Sequence, residues 1–488
     1  MNKPLRRIAI FCGILILALL VRTNWLQYVE ADNLNENDRN RRIQIDRYAS
    51  ERGNIIVDGK PITGSVKTDD TDFVFKRTYV DGPMWAPVTG YASQAFDANQ
   101  LEKLQDGILS GNSDQLFFDR TMAMFTGDKK KGGNVVTTLN GAAQKAAWKG
   151  LGKKKGAVAA IEPKTGKILA LASTPSYDPA SFAGYAAKDE KAWNALDKDK
   201  NKPTLNRALR EIYPPGSTFK VLTAAAALEH GAVKNIDEPT DTPEPYILPN
   251  TRTPMTNLVT GCENVSLKKA LEISCNSVFA KLADDVGREK MLETAEKFGF
   301  NDPELFTPVR VSESVYDKEM ERSENSLSAI GQFNTATTPL QMAMVTSAIA
   351  NDGKLMKPYM VDQLESPDLD VIEKTEPEEM SRPISPETAQ LVQQMMENVV
   401  ESGSGKRAQI GGGVKVGGKT GTAQHGANNS KRPYAWFISY AKTGDGSQVA
   451  VAVIVEDAGG TARDDISGGG LAAPVAKDVM QAVLDGKE

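Results

Sequence analysis

Pro214-Pro215-Gly216-Ser217-Thr218-Phe219-Lys220 is the stretch from which the rest of the chain is read. Two prolines and a glycine end one segment, and an apolar helical run begins at once. Ser217 therefore stands in the first turn of a helix, where unpaired N–H groups and the helix dipole favour negative charge. Lys220 shares its face, and the apolar neighbours Phe219, Val221, Leu222 and Ala224 favour its burial, which lowers a lysine pKa. A neutral Lys220 can take the Ser217 proton, the task of histidine in other serine enzymes. Taken alone, the heptad reads first as a helix-capping serine beside a solvated lysine.

Its company decides between these readings. Active-serine enzymes with Ser-x-x-Lys also carry Ser-x-Asn and Lys-[Ser/Thr]-Gly. Each pattern occurs three times here. Ser266/Lys269 opens a charged helix, and Ser439/Lys442 lies in a strand, where positions i and i+3 face opposite ways. Ser110/Asn112 falls in the N-terminal part and Ser323/Asn325 in a charged stretch, whereas Ser274-Cys275-Asn276 sits between two apolar helical runs. Lys164 and Lys442 stand at hairpin turns. Lys419-Thr420-Gly421-Thr422 instead continues the strand from Val414, and its glycines mark close approach of a ligand or backbone. Only Ser217/Lys220, Ser274/Asn276 and Lys419–Gly421 place all three motifs in supporting surroundings.

In this set Ser217 attacks a carbonyl, and the backbone N–H groups of Ser217 and Thr422 are the expected oxyanion donors. Lys419 is read as a fixed positive charge for a substrate carboxylate, with the Thr420 hydroxyl beside it. Ser274 relays a proton from Lys220 to the leaving nitrogen, Asn276 holds a substrate amide, and Thr422 adds a hydroxyl.

Around these motifs the pattern is that of an α/β (α+β) domain with helices packed on a central antiparallel sheet. Ala157–Glu162 and Ile168–Ala172 read as a hairpin. Helices follow near 218–230, 266–273, 276–286 and 338–350, and another begins at Ser385-Pro386. Three strands near 414–423, 434–441 and 448–456 precede a last helix at 472–484. Asp362 to Pro386, acidic and proline-rich, reads as a surface excursion. Upstream, Arg52–Lys60 reads as a strand ending in an Asp-Gly turn, 98–110 is helical, and 140–150 is a short Ala-rich helix. Gly127–Gly133 and Gly152–Gly156 read as linkers.

At 488 residues the chain is too long for one ordinary domain. Its net charge of −5 argues against nucleic acid as a partner. Two histidines, His230 and His425, cannot build a His-rich metal site, and neither stands in a recognisable triad setting. Lys3, Arg6 and Arg7 precede an apolar run from Ile8 to Val21, with Arg22, Trp25, Leu26, Tyr28 and Val29 after it. No small-x-small cleavage site follows, so this reads as an uncleaved signal-anchor with its basic end in the cytoplasm. The alternative is a removed signal peptide; both export the remainder. Residues 31–50, polar and charged, read as a stalk or a helix emerging from the membrane. Outside the cell Cys262 and Cys275 can pair, and two separate buried thiols are the competing reading.

With these residues in view the sequence resembles the penicillin-binding proteins, specifically the class B D,D-transpeptidases. The likeness runs from about Gly156 to the C-terminus. It includes Asn206-Arg207-Ala208, Tyr213–Gly216, Ala329-Ile330-Gly331-Gln332, Thr338–Ala343 and Ala472–Val475. Gln332 is followed by Phe333-Asn334 where a glycine is common. Arg52-Gly53-Asn54-Ile55 resembles the start of the family's pedestal, whose shortness is most like the actinobacterial penicillin-binding protein A group. The resemblance implies a cytoplasmic tail at 1–7, an anchor at 8–29, a pedestal at 33–140 and a transpeptidase domain, of the serine-transpeptidase/β-lactamase-like fold, at 145–488. It also implies a Ser217 acyl-enzyme formed with D-Ala-D-Ala stem peptides of peptidoglycan or with β-lactams, and no cofactor or metal. A polytopic glycan polymerase and a division or elongation complex are the implied partners. A D,D-carboxypeptidase shares all three motifs. A β-lactamase needs a base for deacylation, and no clear Glu-containing loop lies between Ser274 and Lys419. A β-lactam sensor needs a cytoplasmic output longer than seven residues, and an idle scaffold does not explain the intact motifs.

Overall fold

Val449-Ala450-Val451-Ala452-Val453-Ile454-Val455 has no polar residue to place on a wet face, so its strand has to be covered on both sides. The computed structural model covers it in that way. It describes residues 3–35, 41–116, 121, 125, 130–426 and 429–486. The principal elements begin with α1 (Lys3–Tyr28), β1 (Ile55–Val57), β2 (Asn134–Thr137), α2 (Gly141–Leu151), β3 (Lys155–Ile161) and β4 (Ile168–Thr174). Next come α3 (Lys220–Glu229), α4 (Leu267–Ile273), α5 (Asn276–Val286), α6 (Pro339–Ala350), β5 (Val361–Glu365) and β6 (Val371–Lys374). The chain closes with α7 (Pro386–Glu401), β7 (Lys415–Ala423), β8 (Tyr434–Thr443), β9 (Gly446–Asp457) and α8 (Ala473–Asp485).

The large sheet has the order β7-β8-β9-β3-β4, every pairing antiparallel. Helices α2 and α8 pack against each other and cover one face, and α6 covers the other. Every residue of α6 is buried, as a helix apolar all round its circumference requires. It starts where the Thr338 hydroxyl accepts the Gln341 N–H at 3.1 Å, with Pro339 in its first turn. Strand β7 lies at the sheet edge and packs against the turn Gly216–Thr218 and against α7.

A second sheet, of order β6-β5-β2-β1 plus the short strand Lys60–Pro61, forms the smaller N-terminal body. Here the stretch read as a surface excursion is corrected. Residues 361–374 cross back as β5 and β6, with Val361 opposite Thr137 and Leu364 opposite Val135. Buried Val361 and Leu364 supply the inward face, and the acidic residues between and after them masked the alternation. The two linker readings also change. Gly127–Lys129 lie outside the described residues, but Gly132 and Gly133 donate to the Glu51 and Ile108 carbonyls at 3.1 and 2.9 Å. Gly152 ends α2, and Gly156 lies within β3.

Helix α1 runs unbroken through Arg22 and none of its residues is buried. At 26 residues it is long and apolar enough to cross a membrane.

Candidate active site

Gly216 takes φ +54°, a value at which a side chain is strained, and so turns the chain into a single 3-10 turn, Gly216–Thr218, ahead of α3. The turn is held from two sides. The Gly216 N–H donates to Gly331 O at 3.0 Å, and the Trp436 indole N–H on β8 donates to Pro214 O at 3.1 Å. Ser217 is half-buried at the mouth of a cavity of about 710 Å³. Its hydroxyl has no hydrogen-bond partner among the described residues.

Lys220, the first residue of α3, is fully buried. Its Nζ lies 2.8 Å from Ser274 O, 2.7 Å from Asn276 Oδ1 and 3.2 Å from Ser274 Oγ. Lys419 on β7 is also fully buried, and its Nζ donates to Ser274 Oγ at 2.9 Å and to Thr420 O at 3.1 Å. The three motifs therefore meet at one atom, the Ser274 hydroxyl oxygen. Burial, and then the charge of Lys419, holds the Lys220 amine well below the usual lysine range; burial pushes Lys419 down to about 7. With Lys220 neutral, two of its N–H bonds point to the two carbonyl oxygens. Its lone pair is then free to accept a proton.

Ser274 adopts a left-handed conformation, φ 65° and ψ 44°, as the cap between α4 and α5. For a non-glycine residue that conformation costs about 1–2 kcal/mol, and a neighbouring loop keeps it in place. The Asn257 Oδ1 accepts the Asn276 and Ser277 N–H groups at 2.6 and 3.0 Å, capping α5 from outside. Its amide nitrogen donates to Glu244 Oε1 and Ser277 Oγ, and Glu244 Oε2 accepts the Cys262 N–H. Cys262 and Cys275 form a disulfide with Cα atoms 5.7 Å apart, which ties the middle residue of Ser-x-Asn to the same loop. The sequence contains no sign of Asn257, because its partners lie about twenty residues away in no recognisable pattern.

Two of the expected roles look different in place. The Asn276 side chain is used at both ends, Oδ1 by Lys220 and Nδ2 by the Thr256 carbonyl at 2.8 Å. Oδ1 thereby holds the Lys220 amine in place. Lys419, read as the cation for a substrate carboxylate, is shut off behind Thr420 and does not line the cavity. Thr420 and Thr422 do line it, on the open edge of the sheet. Exposed Leu258 and Val259 form a lip opposite them. Glu272 also reaches the cavity. Partial burial, which would raise its pKa, is outweighed by bonds from Lys269 (2.6 Å) and Asn398 (2.9 Å), leaving it below the usual carboxylate range.

The competing motifs lie elsewhere. Ser266 caps α4 through the Lys269 N–H, buried Ser439 faces Met480, and buried Asn325 bonds Tyr316 and Ala283. Lys164 and Lys442 bond Asp445 O and Gln393. Phe333, where a glycine is common, takes φ +58°, a conformation glycine adopts without strain. Among the described residues no cluster of His, Cys, Asp and Glu could hold a metal ion.

The chain matches the penicillin binding protein transpeptidase domain over residues 156–481 and the penicillin binding protein A dimerisation domain over residues 52–135. It is 39% identical to the peptidoglycan D,D-transpeptidase PbpA of Mycolicibacterium smegmatis, over 99% of each chain. The identity to PbpA of Mycobacterium tuberculosis is 39% over the whole of both chains. The ceftriaxone acyl-enzyme complex of M. tuberculosis penicillin-binding protein A superposes with a TM-score of 0.85 at 38% identity, covering 90% of this chain and 100% of that one. A D,D-transpeptidase domain from Eggerthella lenta gives 0.75 at 31% identity, over 90% and 99%.

Proposed function

The chain belongs to the penicillin-binding protein transpeptidase family, and on that premise we propose that it cross-links peptidoglycan stem peptides through a Ser217 acyl-enzyme that β-lactams trap. The observation that carries this reading is the convergence of the Lys220 and Lys419 side-chain nitrogens on Ser274 Oγ beside the cavity that Ser217 enters.

In the first step Ser217 Oγ attacks the carbonyl of the penultimate D-alanine of the donor, and its proton passes to the neutral Lys220. The tetrahedral oxyanion is held by the Ser217 and Thr422 N–H groups. Collapse breaks the peptide bond, and the departing D-alanine nitrogen receives the proton from Lys220 through Ser274. The amine of a neighbouring stem then attacks the ester and loses its proton to Lys220; collapse breaks the bond to Ser217 Oγ, and Lys220 returns the proton to that oxygen. Lys419 polarises Ser274 by donating to its oxygen throughout. A β-lactam enters by the same attack, but its ring nitrogen remains tethered, so the acyl-enzyme persists.

Helix α1 anchors the protein with its basic end in the cytoplasm and the rest outside. We assign residues 33–140 to the pedestal and 145–488 to the transpeptidase domain, which lends β5 and β6 back to the pedestal sheet. A polytopic glycan polymerase supplies the strands to be cross-linked.

The test is labelling of the full chain, in detergent, with a fluorescent penicillin. Wild type is expected to carry a stable label that Ser217→Ala removes. A label lost within minutes indicates a β-lactamase, and no label on folded protein removes the enzymatic reading.

A further inference from the structure

The pedestal sheet ends on an edge that the proposed reaction does not use. Among the described residues β6 pairs with β5 and with no other strand. Just past β6 the Thr375 N–H donates to Asp362 O at 2.8 Å. Bonded and unbonded pairs alternate along an antiparallel ladder, so Glu373 also faces β5, while the N–H and C=O groups of Ile372 and Lys374 face outward. Val371, Glu373 and Lys374 are exposed. An open edge of this kind is a template for another strand.

Two observations define the strand that fits. The first is charge. Residues 361–379 carry eight acidic side chains and one lysine, Lys374. Glu378 is paired with Lys357 at 3.1 Å. Exposed Glu373 receives only the neutral Gln115 amide, at 2.8 Å, and exposed Glu376 has no ion pair among the described residues. Such an edge repels a second copy of itself and attracts a strand carrying lysine or arginine.

The second is a cavity of about 280 Å³ beside the same edge, walled by Leu364, Glu373 and Glu376 and by Phe306, Pro308 and Tyr359. Phe306 is half-exposed there, whereas Tyr359 is only 9% exposed. The Tyr359 hydroxyl is buried and has no hydrogen-bond partner among the described residues. Buried polar groups in folded proteins are normally partnered, and a ring with a polar tip suits both the apolar walls and this hydroxyl.

We propose that β6 and this cavity are the docking site for an extended, lysine- or arginine-bearing segment of a partner protein, which adds a strand to β6 and seats one tyrosine-like side chain against Phe306 and Tyr359. Main-chain bonds to Ile372 and Lys374 supply affinity, the acidic rim selects the sign of charge, and the cavity sets the register. This cavity shares no residue with the one Ser217 enters. The inference therefore goes beyond the acyl-enzyme reading and does not depend on it.

The probe is a fluorescein-labelled nonapeptide of alternating lysine and valine, with tyrosine in place of the central lysine. Its binding to the full-length protein in detergent is followed by anisotropy. Wild type is expected to bind it saturably. The double variant Glu373→Gln/Glu376→Gln should bind about tenfold more weakly at low salt, as loss of two facing charges implies, and the difference should vanish at high salt. Lys374→Pro should weaken binding about fivefold, the scale of one lost hydrogen bond, because an outward-facing edge position admits proline but loses its donor. Lys374→Ala, which removes only a repelling charge, should bind at least as tightly as wild type. Tyr359→Phe should weaken binding about threefold by the same reasoning. Melting temperature and penicillin acylation should match wild type in every variant. Absence of saturable binding, equal binding by the Glu373→Gln/Glu376→Gln protein at low salt, or undiminished binding of a backbone N-methylated peptide overturns the site.

Discussion

The pedestal and the catalytic cleft both bury charged side chains completely, and they treat them in opposite ways. In the pedestal Glu102 lies between two arginines, 2.8 Å from Arg52 Nε and 2.6 Å from Arg77 Nε, and Arg52 reaches on to Asp106 at 2.6 Å. Burial alone would push the Glu102 carboxyl up, but Arg77 and Arg52 outweigh it and hold it low. Burial likewise opposes the charge on Arg52, and Glu102 and Asp106 outweigh it, raising the arginine's pKa. In the cleft Lys220 and Lys419 have only neutral oxygens around them, and burial drives both amines toward the uncharged form. A buried charge with its counter-charge is a structural clamp; a buried amine without one is a base in waiting.

Removing the charge should therefore have opposite consequences in the two regions. Lys220→Met puts an uncharged side chain of similar length in place of an amine whose charge burial already disfavours. The acylation rate should fall about a thousandfold, the scale of a lost general base, while the melting temperature holds or rises. Stopped-flow acylation and a thermal melt decide the matter, and near-normal acylation removes Lys220 as the base.

Glu102→Gln should do the reverse. It leaves two arginines facing a neutral amide in a dry site, and breaking a buried ion pair costs about 3–5 kcal/mol. The midpoint of denaturant unfolding should drop accordingly, with acylation of the remaining folded protein unchanged. A variant as stable as wild type makes the clamp dispensable.

The smallest effect concerns how the two lysines influence each other. The charge of Lys419 is one reason the Lys220 pKa is low. Acylation requires neutral Lys220, so the rate falls as pH drops through that pKa. In Lys419→Met the Lys220 pKa rises, and the acidic limb of the pH–rate profile should move to higher pH. A limb in the same place means that burial alone sets the Lys220 pKa.

Much of this was legible in the chain. Ser217, Lys220, Ser274, Asn276 and the Lys419–Thr422 run were chosen from among look-alikes because their flanks were apolar or continued a strand, and those flanks bring Lys220, Ser274, Asn276, Lys419 and Thr420 into direct contact. The hairpin of β3 and β4, the three strands after Val414 and helix α6 were readable because two-sided burial leaves long apolar runs. What escaped were elements whose partners are remote. β5 and β6 belong to a sheet begun some three hundred residues earlier, and their acidic residues concealed two inward-facing side chains. Asn257 acts only because its loop lies across the start of α5.

By itself the sequence determined which side chains carry the proposed chemistry, the order of the helices and strands that present them, and an N-terminal helix able to cross a membrane. These depend on local spacing and hydrophobic pattern, which travel with the chain. Tertiary structure alone decided that Lys419 lies behind the cavity wall while Thr420 stands on it, that Cys262 meets Cys275, and that Asn276 turns toward Lys220. Burial and pairing are set by which distant segments come together, and the free energy of a charge depends on what surrounds it rather than on its place in the sequence.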